Sequence, residues 1–249
     1  MKLKNKTTLI TGASRGIGLS IAKRFLSEGA NVVVSYLAED YLVKDDQLIL
    51  ESYADQCLIV ECDVRIDQHI EACVEQTLSR FSSIDTLINN AGVAHNAPLE
   101  ETSMDQFDEL MNVNLRGAFN MSRCAIPSML EATVSSNIIN ISSELAYLGR
   151  ANNSAYCASK AALIGLTRSW AREFSPKIRV NAIAPGPTST RMCDPNIMHE
   201  EELAMELNNP MKRFGRCSEI ASTALFLASE DSSYFTGQCL SPNGGAAMY

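Results

Sequence analysis

Tyr156 and Lys160 stand four residues apart, so on a helix their side chains share one face, one turn apart. A phenol ordinarily titrates near pH ~10, too high for a proton relay at neutrality, and a neighbouring ammonium favours its ionised form. The pair has the makings of a proton donor tuned by a cation. Ser142 and Ser143 follow the apolar run Asn137-Ile138-Ile139-Asn140-Ile141. A hydroxyl at the carboxyl end of a parallel strand can hydrogen-bond a carbonyl oxygen and the alkoxide that develops from it. Near the start, Gly12, Gly16 and Gly18 punctuate Thr11-Gly12-Ala13-Ser14-Arg15-Gly16-Ile17-Gly18. Gly12 permits a tight turn, Gly16 a close approach of backbone to a pyrophosphate, and Gly18 close packing of helix on strand. The helix N–H groups that follow would receive a phosphate.

Other chemistries find less support. The eight cysteines (Cys57, Cys62, Cys73, Cys124, Cys157, Cys193, Cys217 and Cys239) contain no C-x-x-C pair, which points to buried thiols in a reducing compartment. His69, His95 and His199 are scattered, so no metal site is expected. His95 reads either as a substrate contact or as an ordinary loop histidine. Glu200-Glu201-Glu202 reads as a helix start rather than a metal site. The formal charge of −8 and a pI near 5.0 argue against nucleic acid, whose phosphates call for a basic patch. No apolar run reaches the ~18 residues of a membrane span. After Met1-Lys2-Leu3-Lys4-Asn5-Lys6 the run to Gly12 is too short for the ~7–15-residue apolar core of a signal peptide, and a cytoplasmic protein is expected.

The surrounding elements must hold these groups. Short β-rich runs at residues 7–11, 31–36, 58–62, 86–89, 137–142 and 178–184, and a weaker one at 238–241, alternate with helical patterns. Those patterns cover 17–28, 40–53, 67–81, 104–130, 154–174 and 218–228. Such alternation implies βαβ units and a parallel sheet covered on both faces. With 46% hydrophobic and 20% charged residues, and no linker or internal repeat, residues 1–249 read as one domain. Residues 185–210 look irregular, and a long insertion in a compact domain suggests a substrate lid, about 187–212. Met192, Met198, Met205 and Met211 would line it or pack its short helices.

The cofactor-loop pattern Gly12-x3-Gly16-Ile17-Gly18, together with Asn89-Asn90-Ala91-Gly92, Tyr156-Cys157-Ala158-Ser159-Lys160 and Pro185-Gly186, resembles the short-chain dehydrogenase/reductase family along nearly the whole chain. The resemblance implies a Rossmann-type, doubly wound α/β fold with seven parallel strands in the order 3-2-1-4-5-6-7. It implies a catalytic set of Asn114, Ser143, Tyr156 and Lys160. Ser143, thirteen before Tyr156, would be the catalytic serine, leaving Ser142 a capping role. Asn114 would hold a water linking Lys160 to solvent, against the commoner fate of a helix amide satisfying local backbone. Gly12, Ser14, Arg15, Gly16, Ile17 and Gly18 would cradle the cofactor. Asp63 and Val64 would hold the adenine, and Asn90, Ala91 and Gly92 the adenosine ribose side. Ile183, Pro185, Gly186, Thr188 and Thr190 would flank the nicotinamide, with Tyr156 and Lys160 beside its ribose.

By the same comparison Tyr36 decides between cofactors. An acid there would bind the ribose diol and repel a 2′-phosphate. Tyr36 is no acid, and Arg15 can pair with a 2′-phosphate, so NADP(H) is favoured over NAD(H). Glu39 and Asp40 are the acids near enough to reach the ribose instead. The implied reaction is hydride transfer between nicotinamide and a carbonyl or secondary alcohol. Pro210-Met211-Lys212-Arg213-Phe214-Gly215 and Phe226-Leu227-Ala228-Ser229 resemble the β-ketoacyl-carrier-protein reductases. Glu131-Ala132-Thr133-Val134-Ser135-Ser136 lacks the basic residues those relatives often present to an acidic carrier, so a free acyl thioester or small ketone is equally expected. Ser241-Pro242-Asn243-Gly244-Gly245 departs from the family's usual Val-Asp-Gly-Gly. An NAD-dependent sugar or polyol dehydrogenase and a non-catalytic nucleotide-sensing regulator are the alternatives; intact Tyr156 and Lys160 count against the second. Leu163, Leu166 and Trp170, spaced i, i+3 and i+7, suggest an apolar stripe that a homotetramer would cover.

Overall fold

Runs such as Val32-Val33-Val34, apolar at every position, suit strands buried on both faces. In the computed structural model, which describes residues 1–38 and 44–248, they build one sheet. In chain order the elements are β1 (Thr7–Ile10), α1 (Gly16–Ser27), β2 (Asn31–Tyr36), α2 (Lys44–Glu51), β3 (Cys57–Glu61), α3 (Asp67–Phe81), β4 (Thr86–Asn89) and α4 (Met104–Met111). They continue with α5 (Ala118–Glu131), β5 (Ser136–Ile141), α6 (Leu145–Leu148), α7 (Ser154–Phe174), β6 (Ile178–Ile183), α8 (Glu200–Glu206), α9 (Cys217–Ala228) and β7 (Cys239–Leu240). The strands run parallel in the order β3-β2-β1-β4-β5-β6-β7, as expected.

Alternate side chains of each strand feed opposite cores. Ile10, Val34, Ile88 and Ile139 pack with Phe25 of α1 and Leu227 of α9 on one face. Leu9, Val33, Leu87 and Ile138 pack with Ile70 of α3, Met121 of α5 and Trp170 of α7 on the other. Burying both faces aligns the carboxyl ends of the strands along one edge, where the turns after β1, β4, β5 and β6 meet.

Three expectations need correction. The helix expected over 104–130 is interrupted by a π-helical segment, Asn112–Gly117, between α4 and α5. A Cβ at Gly117 would stand 2.8 Å from Val64 Cγ2, so this segment presses on the loop after β3, and Asn114 is bonded outside its own helix. Residues 185–210 are not wholly irregular: α8 forms there, with Glu200, Glu201 and Glu202 in its first turn, where carboxylates suit the helix dipole. Nor do Leu163, Leu166 and Trp170 form an exposed stripe. Leu163 and Trp170 are buried within the chain, and Leu166 packs partly buried on the second core. The face of α7 that turns to the sheet includes them along with Ser159 and Lys160. The first residues of the helix expected at 40–53 lie outside the described ones, and α2 begins at Lys44.

The Ser241-Pro242-Asn243 departure makes its own network. Ser241 Oγ donates to the Ala184 carbonyl at 2.7 Å, and Asn243 Nδ2 donates to Ser241 Oγ at 3.1 Å and to the Ala247 carbonyl at 2.9 Å. The C-terminal turn is thereby tied to the end of β6, just ahead of Pro185 and Gly186.

Candidate active site

β5 delivers Ser143 to the carboxyl edge, and α7 lies across that edge with Tyr156 and Lys160 in its first two turns. The strand end and the helix are stitched together by Ser142, whose Oγ donates to the Lys160 carbonyl at 2.8 Å. Ser142 is thus a cross-tie and not the cap expected from sequence. Lys160 Nζ is buried and donates to the Ile141 carbonyl at 2.9 Å, which engages one of its three hydrogens. Ser143 Oγ accepts from the Leu145 N–H at 3.2 Å and lies close enough to the Tyr156 phenol to act on its titration. Ser143, Tyr156 and Lys160 are therefore brought together.

Asn114 joins them. Its Nδ2 donates to the Val93 carbonyl at 3.0 Å and to Ser159 Oγ at 3.1 Å, and its Oδ1 accepts from the Val93 N–H at 2.8 Å. Ser159 Oγ donates in turn to the Tyr156 carbonyl. The amide is spent on the loop after β4 and on α7, not on local helix backbone. A Cβ at Gly92 would lie 3.3 Å from both Asn114 Oδ1 and Lys160 Nζ, so these two polar heads converge on Gly92, where a side chain would crowd both.

Burial governs the titration of the pair. It pushes the Tyr156 phenol up to about 12, against the pull of the Ser143 hydroxyl, and brings Lys160 down to about 8. The sequence led us to expect the ammonium to lower the phenol. Lys160 Nζ instead sits 5.7 Å from the centroid of the Tyr156 ring, bonded to Ile141, so desolvation outweighs any pull it exerts on the hydroxyl. At neutral pH Tyr156 holds its proton.

The glycine turn is shaped from β4. Gly12 has φ +62, and a Cβ there would meet Ala91 Cα at 2.8 Å, so glycine is required on both counts. Asn90 Nδ2 donates to the carbonyls of Thr11 and Gly12, each at 2.9 Å. Thr11 Oγ1 accepts from the N–H groups of Asn90 and Ala91, each at 3.0 Å. Ser14 is buried and Arg15 is exposed, with α1 starting at Gly16 and no acid in its first turn. Ile17 and Gly18 complete that turn, and its free N–H groups make an anion site. This glycine-lined cradle beside a helix N-terminus, with Lys160 over Gly92, fits a dinucleotide. Its pyrophosphate would rest on residues 12–18 and its nicotinamide ribose near Lys160.

The remaining expected contacts ring this cradle. Tyr36 ends β2 half-buried, in register with Glu61, while Glu39 and Asp40 lie outside the described residues. Arg65 donates to the Asp63 carboxylate from its backbone N–H at 2.9 Å and from Nη2 at 2.7 Å, holding that carboxyl below its usual range. Val64 is buried under Gly117. Ile183 is buried at the end of β6, followed by Pro185 and Gly186; Thr188 Oγ1 donates to the Gly186 carbonyl at 2.9 Å. Thr190 reaches the glycine turn, 3.5 Å from where a Gly16 Cβ would stand. His95 Nε2 lies 2.7 Å from Glu109 Oε2, a partner that neither sequence reading supplied.

Sequence reasoning missed Thr11 and Ser159, which brace the turn and the amide, and also Glu144 and Arg150. An acid directly after Ser143, in an apolar stretch, was the available signal for the last pair. Among the described residues there is no group of three or more His, Cys, Asp and Glu able to hold a metal, and no helix long and apolar enough to cross a membrane.

Comparison with known proteins agrees with this geometry. A family model described as enoyl-(acyl carrier protein) reductase matches residues 12–247. The chain is 37% identical over 252 residues to 3-oxoacyl-[acyl-carrier-protein] reductase of Thermotoga maritima, covering 100% of both. A 3-ketoacyl-(acyl-carrier-protein) reductase from Brucella melitensis, solved with NADH, is 32% identical with a TM-score of 0.89, covering 98% of this chain and 99% of that one. A blue fluorescent protein from a metagenomic library, solved with NADPH, is 32% identical with a TM-score of 0.91 and covers 100% of both chains.

Proposed function

This chain belongs to the short-chain dehydrogenase/reductase family of NAD(P)-dependent oxidoreductases, and on that footing we propose that it reduces the ketone of a 3-oxoacyl thioester or a small ketone with NADPH. One observation carries the reading: the Ser143 hydroxyl stands close enough to the Tyr156 phenol to favour its ionised form, with Lys160 buried one turn further along α7. The nicotinamide, when bound, supplies the hydride. Ser143 Oγ donates to the carbonyl oxygen and holds the charge that grows on it. Tyr156, protonated at neutral pH, passes its proton to that oxygen. Lys160 has donors left for the nicotinamide ribose. Asn114 and Ser159 keep the first turns of α7 against the β4 loop.

The preference for NADP(H) rests on exposed Arg15 and on Tyr36 standing where an acid would repel a 2′-phosphate. A free thioester or small ketone suits the surface better than a carrier-bound one, because residues 131–136 carry no base and the net charge is −8. We read the chain as one catalytic unit in the cytoplasm, with residues 187–212 as its substrate lid. For a homotetramer, Phe119 and Leu130, exposed on one face of α5, with Phe119 beside Trp170, take the place of the stripe first expected on α7. The test is consumption of NADPH or NADH with acetoacetyl-CoA, ethyl acetoacetate and an aldohexose. Turnover of the ketones with NADPH is expected. Turnover of the sugar alone, or binding of neither cofactor, would overturn the reading.

A further inference from the structure

Beside Ser143 lies a charged cluster that the proposed reaction leaves unused. Arg150, in the loop ahead of α7, is paired through both terminal nitrogens with the carboxylate of Glu206, the last residue of α8; Nη1 reaches Oε1, and Nη2 reaches Oε2 at 3.1 Å. Glu206 is buried although it belongs to the segment read above as the lid. Glu144 is also buried. It follows Ser143 directly, its N–H donates to the Pro185 carbonyl at 3.0 Å, and its Oε2 has no hydrogen-bond partner.

We propose that Arg150 and Glu206 are positioning residues that hold α8 down over the Ser143–Tyr156 pair, and that the charge on Glu144 decides how firmly they do so. The proposal rests on reading residues 187–212 as a lid. Arg150 sits between Ser143 and Tyr156 in the chain, so its bidentate bond to Glu206 couples the lid to the segment that carries both groups. Glu144 lies within electrostatic reach of Arg150 and Glu206, and Cys193, from the lid, and Tyr156, from α7, within reach of Arg150. Burial pushes the Cys193 thiol up to about 12, so it stays neutral.

One carboxylate thus holds the guanidinium while a second, unpartnered one lies within reach of its charge. While Glu144 is protonated, Arg150 belongs to Glu206 and the lid is held. Once Glu144 ionises, a second buried anion competes for Arg150 and repels Glu206, and the lid loosens. Burial and the neighbouring Glu206 raise Glu144 to about 7, which places this change within the working range of an enzyme.

The experiment is hydrogen exchange of residues 200–206 in the cofactor-free protein, about one pH unit below and above 7, read as protection factors. In the parent, protection of α8 should fall at least about 5-fold across that interval. Glu144→Gln, which keeps the shape but not the charge, should abolish the fall. Glu206→Gln should lower protection at both pH values, and should raise KM for ethyl acetoacetate at least about 5-fold while kcat changes less than about 2-fold. Protection of α8 that does not vary with pH in the parent would overturn the proposal. So would a fall that persists in Glu144→Gln, or parent-like protection in Glu206→Gln. The exchange readout needs no substrate, so it decides the proposal even in a chain that reduces none of the ketones.

Discussion

Replacing Gly18 by alanine should damage the cofactor cradle from behind. An ideal Cβ there would stand 2.5 Å from Asn90 Nδ2 and 2.7 Å from the Gly12 carbonyl oxygen. Asn90 is the more movable neighbour, but its Nδ2 is what holds the Thr11 and Gly12 carbonyls. Displacing it forfeits two hydrogen bonds at about 1 kcal/mol each. Overpacking adds about 1–3 kcal/mol. The total of about 3–5 kcal/mol is a large share of the ~5–15 kcal/mol of a typical domain. For a chain of this size about 2–4 °C is lost per kcal/mol, so Tm should fall by about 10 °C. NADPH binding, followed by fluorescence titration, should weaken at least about 10-fold, since a shift of about 1.4 kcal/mol in the turn suffices. Asn90→Ala alone should cost about 2 kcal/mol. The double variant should be less damaged than the sum of the singles, by about 1 kcal/mol or more, because the amide that clashes is already gone. A Gly18→Ala protein within about 2 °C of the parent, or strict additivity of the pair, would refute the idea that Asn90 props the turn.

Tyr156→Phe should cut kcat by about 10²–10⁴-fold while NADPH affinity stays within about 3-fold, measured by steady-state kinetics and titration. Near-normal turnover would remove Tyr156 as the acid. Arg15→Ala should narrow the preference for NADPH over NADH; an equal loss of affinity for both would place Arg15 away from the 2′-phosphate. Glu144→Gln should stabilise the fold increasingly from pH ~4.5 upward, in full from about 7, and not below ~4.5. The folded carboxyl titrates near 7 against an ordinary 4.5, so both states are protonated below about 4.5 and stability falls as pH rises from there to about 7. At about 1.36 kcal/mol per pH unit this costs the parent about 3 kcal/mol, so the variant should melt several degrees higher at pH ~8 and no higher at pH ~4. Light scattering should find four copies of the 27.2 kDa chain; a single-chain mass would refute the assembly.

Much of this molecule was legible in one dimension. Doubly buried strands are apolar throughout and helices repeat every ~3.6 residues, so the βαβ alternation, and with it a parallel sheet, follows from local pattern alone. The glycine turn was readable because φ +62 at Gly12 and the crowding of Ala91 leave no other residue type there. The Tyr156–Lys160 spacing was readable because a helix fixes it. What the pattern could not reveal is set by contacts between distant segments. Tyr156 at about 12 reflects how deeply α7 is packed and that Lys160 turns toward Ile141. The π-helical segment at Asn112–Gly117 exists where Gly117 meets Val64, some fifty residues away. Leu163 and Trp170 looked outward in a helical projection, yet the sheet claims that face because the same stripe carries Ser159 and Lys160. Arg150, Glu206 and Glu144 are ordinary charges in the sequence. Only the tertiary fold brings Glu206 of α8 onto Arg150 and leaves Glu144 buried within reach of both, where desolvation raises its carboxyl.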